Sequence, residues 1–224
     1  MANGSNGAET GMAATAVAAS AVDAHAIECA SRLFLESGIE AVKMTQIAEA
    51  AGMGVATLYR HFSTKAALAA EASMLMLERL LAEYDEIVTS DVYAGLNGAS
   101  QLEVLLTTYC DQFVYQRGFA AFIDELDRLI LSGDLSAEAV EAYSKRLAAV
   151  YPHFEAAYER GCSDGSIVRR VDFGLFYRSV AHALMSVASK LSRGEVLPSD
   201  DFTAGKDELG CLVDMAIRSL RIKG

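Results

Sequence analysis

The stretch QIAEAAGMGVATLYRHFSTKAAL, from Gln46 to Leu68, decides the fold. Its first part sets Ile47, Ala48 and Ala51 on one helical face and stops at Gly52, and a second short apolar-faced segment, Ala56 to Phe62, follows at once. Two short helices around a glycine turn make a helix-turn-helix. Without side chains at Gly52 and Gly54, the turn can take positive φ and bring the second helix tightly against the first. On a helical wheel with Leu58 at the origin, Phe62 lies roughly 40° and Val55 roughly 60° away, whereas Ala56 falls at about 160° and Arg60 at about 200°. Leu58 and Phe62 therefore face inward and Arg60 outward. Thr57, Tyr59 and His61 flank that outer face, so one surface offers a guanidinium, hydroxyls and an imidazole, groups suited to base edges and phosphates.

Upstream of this motif, Ile27, Ala30, Leu33 and Phe34 recur at helical spacing, and Gly38 stands where such a helix stops. Downstream, Ser63 is expected to cap a long helix running from about Thr64 to about Val88, with Lys65 in its first turn placed to meet a phosphate beside free backbone amides. Further helices are predicted over roughly 100–116, 119–132, 136–161, 172–193 and 206–221, with breaks at Gly161 to Gly165 and at Gly194 to Asp201. Residues 1–22 have few large side chains to anchor them and read as a mobile tail. Residues 23–70 form the helix-turn-helix domain, and 71–224 a larger helical domain.

Composition supports an all-α class: 224 residues with 52% hydrophobic content hold ample core, and only two prolines and no tryptophan argue against a turn-rich β-sandwich. The formal charge of −11 means that the molecule as a whole repels polyanions, so any nucleic-acid contact has to be local. Within residues 23–70, four basic side chains stand against five acidic ones, a balance of −1, while residues 71–224 carry 15 against 24, a balance of −9. Acidity is concentrated away from the motif.

Four cysteines without a CxxC pair fit reduced thiols rather than a disulfide framework or a zinc site, which makes the cytoplasm the expected location. The uncharged run from Met12 to Val22 lacks a basic leader, so no secretory signal is expected, and no apolar run reaches the roughly 18 residues of a membrane span. GxSxG, HExxH and Walker A patterns are missing, GlyMetGly at 52–54 lacks the third glycine of a dinucleotide fingerprint, and His25, His61, His153 and His182 are scattered. The reading is therefore no enzyme, no cofactor and no metal.

From Gly38 to Leu68 the chain resembles the DNA-binding domain of the TetR family of bacterial transcriptional regulators. The resemblance starts near Ile27, covers about 45 residues, and rests on Ile47-Ala48, Ala51-Gly52, Thr57-Leu58-Tyr59, His61-Phe62, and Lys65 with Leu68. It implies a homodimer whose two Tyr59-bearing helices enter successive major grooves of a palindromic operator on double-stranded DNA. Carried over by position, Thr57, Tyr59 and His61 hold the DNA backbone, Arg60 reaches bases, Lys65 binds phosphate, and Thr45 is a second candidate base contact. The chain departs from the family pattern at Lys43 and Gly54, where Ser or Thr caps are common, and at Val55, where a polar or basic residue is frequent. Val55 is suited instead to a thymine methyl, and Lys43 to a phosphate.

The larger domain carries a continuous apolar stripe of Phe173, Phe176, Val180, Leu184, Val187 and Leu191, and a second beside it of Leu175, His182, Met185 and Ala188. Leu209, Leu212, Ala216 and Leu220 repeat the spacing in the last helix. By resemblance, Phe173, Val180, Leu184, Val187, Leu191, Leu212, Ala216 and Leu220 belong to a four-helix dimer seam. Simple intrachain core is the competing reading for each. The family also encloses a small-molecule cavity in this region, for which Tyr109, Phe113, Phe122, Phe154, Tyr158, Phe176 and Tyr177 are the candidate lining; apolar walls with a few polar tips suit a small hydrophobic or aromatic ligand. The functional expectation is a ligand-responsive regulator, a repressor released from its operator. The alternative is a helix-turn-helix protein acting through protein partners with weak or lost DNA binding, and the two differ in salt dependence.

Overall fold

The computed structural model describes residues 6–116, 118–194 and 205–221, with side chains from residue 21 onward. Eleven helices are present among these residues: α1 (Asn6–Ser37), α2 (Met44–Ala50), α3 (Val55–Phe62), α4 (Lys65–Thr89), α5 (Asp91–Ala94), α6 (Gly98–Tyr115), α7 (Phe119–Ser132), α8 (Ala137–Ala148), α9 (Tyr151–Asp164), α10 (Phe173–Ser192) and α11 (Gly205–Leu220). The all-α class and the helix-turn-helix at α2–α3 match the sequence reading.

Local chemistry accounts for most boundaries. Gly38 takes φ +83° and donates its N–H to Phe34 O at 2.8 Å, which ends α1 as expected. At the other end α1 begins at Asn6, so the stretch expected as a tail over 1–22 is helical from residue 6 and continuous with the helix expected from Asp23. Alanine, abundant there, has the highest helix propensity of any residue. Residues 1–5, and most of the break expected at Gly194 to Asp201, lie outside the described residues. Thr64, not Ser63, caps α4: its Oγ1 accepts from Ala67 N at 3.0 Å, while Ser63 turns the corner at φ +52°.

The single helix expected over 136–161 is two helices, α8 and α9, because Pro152 sits in the first turn of α9, where its missing N–H is harmless but where an incoming helix cannot be continued. Residues 91–94, without an expected helix, form α5, whose cap Ser90 accepts from Tyr93 N at 3.2 Å.

Two hydrophobic cores result, and α4 runs through both. Leu68, Ala69, Ala72 and Met76 pack with Phe34, Ile47, Leu58 and Phe62 around the helix-turn-helix, while Leu80, Leu81 and Tyr84 pack with α6, α9, α10 and α11. The division expected at residue 70 therefore falls inside one helix. It is also crossed by α7, whose Phe119, Phe122 and Leu126 complete the first core although they come from the second part of the chain. That crossing needs a glycine: a Cβ on Gly118 would stand 1.6 Å from Leu35 O of α1, so only a bare Cα lets the α6–α7 corner approach the end of α1.

Candidate nucleic-acid interface

Helix α3 has only eight residues, and its orientation is set by two of them. Leu58 and Phe62 are buried, at 0% and 8% exposure, and turn the opposite side to solvent. Arg60 and Ala56 are exposed there, and Tyr59 is 47% exposed, a large aromatic left in water. The wheel reading of inward and outward faces is reproduced. Gly52, at φ +64°, makes the turn between α2 and α3, and Gly54 is the N-cap of α3 in an extended conformation with no side chain to bond the first amides.

The eight residues singled out for DNA contact fall into three groups. Lys43, Thr45, Tyr59 and Arg60 are exposed, and no side-chain ion pair engages Lys43 or Arg60 among the described residues. Lys43 is the N-cap of α2; its side chain cannot accept a hydrogen bond, and its backbone N–H is satisfied instead by Gln46 Oε1 at 2.8 Å. Val55 and Thr57 are half-buried at the start of α3, close to the surface but partly occupied by packing.

His61 and Lys65 form the third group, because each is engaged inside the domain. His61 Nδ1 stands 2.5 Å from Asp23 Oδ1 on α1. Lys65 Nζ donates to Glu40 O and to Val42 O, both at 2.9 Å, and so ties the start of α4 to the α1–α2 corner. Two of its three protons are used there, a role that the phosphate assignment did not include. No local pattern announces either contact, since the partners lie 38 and 23–25 residues away in sequence.

Glu125 of α7, for which the sequence offers no signal, reaches the same corner. Its Oε2 accepts from Glu40 N at 2.9 Å and its carboxylate packs against Gly38, while Arg128 stands 3.8 Å from Oε1. Together with Lys65, it clamps both the N–H and the C=O of Glu40. The α1–α2 corner, which sets the angle of the helix-turn-helix, is therefore held from α4 and α7 simultaneously.

In the larger core, Phe154, Tyr158 and Phe176 are buried and Tyr109, Phe113 and Tyr177 pack against them. Tyr158 and Phe173 lie 5.1 Å apart by ring centroids, Phe154 and Tyr177 5.3 Å, and Tyr109 and Phe113 5.0 Å. Tyr158 Oη donates to Val171 O at 2.9 Å, so its polar end is satisfied within the chain. Phe122 is the exception: it is wholly buried in the other core, apart from the rest of the expected ligand lining, because α7 packs on α1.

The residues assigned to a dimer seam divide similarly. Phe173, Leu184 and Leu220 are buried within the chain at 3%, 0% and 2% exposure and serve its own core, whereas Val180, Val187, Leu191, Leu212 and Ala216 are half-buried. The second stripe divides too, with Met185 half-buried and Ala188 buried at 3% exposure. Leu175 is 52% exposed, His182 is exposed, and Met215 of α11 is 58% exposed.

Comparison with known proteins agrees with this geometry. The profile described as "Bacterial regulatory proteins, tetR family" matches residues 26–72, the span of the helix-turn-helix domain. The HTH-type transcriptional repressor KstR2 of Rhodococcus jostii (strain RHA1) is 30% identical over 159 residues, covering 68% of this chain and 71% of the relative. The structure of the ketosteroid transcriptional regulator KstR2 of Mycobacterium tuberculosis superposes with a TM-score of 0.63 at 20% identity, over 90% of this chain and 95% of that one. The TetR family regulator PfmR from Thermus thermophilus gives 0.61 at 24% identity, over 86% and 97%. No helix among the described residues is long and apolar enough to cross a membrane. With an exposed recognition face on α3, a matching helix-turn-helix profile and a repressor relative across most of its length, the chain belongs to the TetR family and is a ligand-responsive, DNA-binding regulator of transcription.

Proposed function

We propose that this protein is a homodimeric repressor that binds a palindromic operator through α3 and the start of α2, and that a small hydrophobic molecule in the larger core releases it. The observation that carries the proposal is the course of α4. One end is bonded through Lys65 to the corner that orients the helix-turn-helix, and the other carries Tyr84 into the aromatic core, about 28 Å away along the helix axis.

Arg60 reads bases, Lys43 meets phosphate, and Thr45, Tyr59, Thr57 and Val55 fill the remaining contact surface. His61 and Lys65 act chiefly by positioning. Two copies are required because one eight-residue helix supplies too few contacts to discriminate a site, whereas two half-sites one helical turn apart roughly double the contact free energy. The outward side of α10 and α11, which exposes Leu175 and Met215, is the surface that joins them.

A ligand that fits best when α4 is tilted favours dimers whose α3 helices are spaced wrongly for successive grooves, and operator affinity falls by the ratio of ligand affinities for the two states. Selection of bound sequences from random duplex DNA with the purified protein tests the first half of the proposal: a recovered palindrome is expected, and unrelated or non-repeating sequences overturn it. The second half is tested by operator affinity with and without a hydrophobic compound that raises the thermal midpoint. Equal affinities reject release.

A further inference from the structure

Tyr84 of α4 is wholly buried, and its Oη has no hydrogen-bond partner among the described residues. A buried donor without a partner forfeits the hydrogen bonds it had with water, and phenylalanine would fill the same space without that loss. The hydroxyl therefore calls for a partner that arrives from outside the chain.

The surroundings define the partner's chemistry. The ring of Phe154 meets that of Tyr84 edge-on at 5.5 Å and 80°, and His153 lies 5.8 Å from it, so the walls are aromatic. Tyr109, Tyr177 and Cys110 are close enough to act electrostatically on the Tyr84 hydroxyl, and burial pushes all of these groups upward, the Cys110 thiol to about 12. They stay protonated and neutral near pH 7. The groups acting on Tyr84 include Glu83 but no lysine or arginine. An anion placed here would meet the same desolvation with no lysine or arginine among those groups to offset it, whereas a neutral acceptor suits the unpartnered Tyr84 hydroxyl.

A surface groove adjoins this aromatic group at His153. His153 faces a surface groove of about 420 Å³ whose walls include Val88, Tyr93, Ala156 and Ala157. Its side chain is 18% exposed, with Nε2 3.6 Å from Asp85 Oδ1, and its ring also meets that of Tyr84. His153 is thus shared between the groove wall and the surroundings of Tyr84.

We propose that Tyr84 Oη is the polar anchor of the effector site, donating a hydrogen bond to an uncharged carbonyl oxygen of an otherwise apolar molecule, a ketone, ester or lactone, that passes His153 to lie between α4, α6, α9 and α10. This rests on the ligand-responsive reading above and narrows it to a class, neutral carbonyl compounds as opposed to carboxylates or plain hydrocarbons.

Three probes of one shape test it on the full chain: 2-acetylnaphthalene, 2-ethylnaphthalene and 2-naphthoate, titrated by fluorescence into the wild type and into Tyr84→Phe. The wild type is expected to bind the ketone about three- to tenfold more tightly than the hydrocarbon, the worth of one net hydrogen bond, and the carboxylate most weakly. Tyr84→Phe is expected to erase the ketone's advantage, to leave the hydrocarbon's affinity unchanged, and to melt no lower than the wild type when unliganded. Equal binding of ketone and hydrocarbon by the wild type, a ketone preference that survives in Tyr84→Phe, or tightest binding of the carboxylate overturns the anchor while leaving an apolar effector site standing. Binding of none of the three by protein that still binds its selected DNA overturns the anchor and the hydrophobic effector together.

Discussion

Phe34 of α1 and Phe122 of α7 stack with ring centroids 6.3 Å apart and planes 27° from parallel, both wholly buried. This pair joins the helix-turn-helix core to an element of the larger domain, alongside the Glu125 clamp on Glu40 and the close approach of Gly118 to Leu35. Movement within the larger core can therefore reach α3 by two routes, along α4 and across α7.

Truncating that stack should loosen both domains at once. Phe122→Ala is expected to cost about 3–5 kcal/mol by loss of transfer free energy and creation of a cavity, measured by urea unfolding. Because Phe122 lies outside the aromatic group around Tyr84, the ligand affinity of the folded fraction should hardly change. A loss of less than about 1 kcal/mol would show that α7 does not close the first core.

Arg60 and Lys65 carry similar charges one helix apart and should behave oppositely. Arg60→Ala is expected to relax base preference and cost about 1–3 kcal/mol per half-site, with little effect on thermal stability. Lys65→Met removes the two bonds to Glu40 O and Val42 O, so it should lower stability by about 1.5–3 kcal/mol while leaving the salt dependence of DNA binding nearly as in the wild type. A salt slope reduced by about one for Lys65→Met at unchanged stability would restore the phosphate role to that residue.

The glycines of the recognition turn should respond with opposite signs. Gly54 has an ordinary extended backbone, and an added Cβ would meet Thr57 Oγ1 at 3.7 Å, an ordinary contact, so Gly54→Ser can supply the missing cap and is expected to stabilise by about 0.5–1 kcal/mol. Gly52 has open space around it but φ +64°, so Gly52→Ala is expected to destabilise by about 1–2 kcal/mol through backbone strain alone. Thermal unfolding of the two variants beside the wild type reads both signs.

Alkali should unfold the protein through the larger core. Burial raises Cys110 from 9.0 to about 12 and Tyr93 and Tyr143 from 10.0 to about 12, so the folded chain keeps protons that the unfolded chain releases. The contribution of these groups is complete below the unfolded values and is lost as pH rises through 9 to about 12. Urea midpoints measured at pH 8, 9.5 and 10.5 should fall in that order, and Cys110→Ser should flatten the first part of the decline. A midpoint independent of pH across this range contradicts the burial.

Local pattern determined much of the molecule. The alternation of Ile47, Ala48, Leu58 and Phe62 with Gly52 and Arg60 defines two short helices and their outward face, since side-chain direction on a helix follows from spacing alone. The same periodicity found α4, α6, α7, α10 and α11 to within a few residues. Pro152 carried a readable signal for the break between α8 and α9, as a helix cannot run on into proline.

Other features depended on residues far apart in sequence. Periodicity shows that Phe122, Leu184 and Phe173 are inside, but not which core each one enters, because an apolar stripe fits any complementary surface. Likewise a lysine beside a helix start reads equally as a phosphate ligand or as a cap on two carbonyls, until the fold brings Glu40 and Val42 within 2.9 Å of Lys65 Nζ. Tyr84 reads as one more core aromatic until packing surrounds its hydroxyl without an acceptor. Spacing along the chain thus determined the helices and the exposed face of α3, while packing of distant segments decided which core each apolar face entered and which polar atoms were satisfied within the chain.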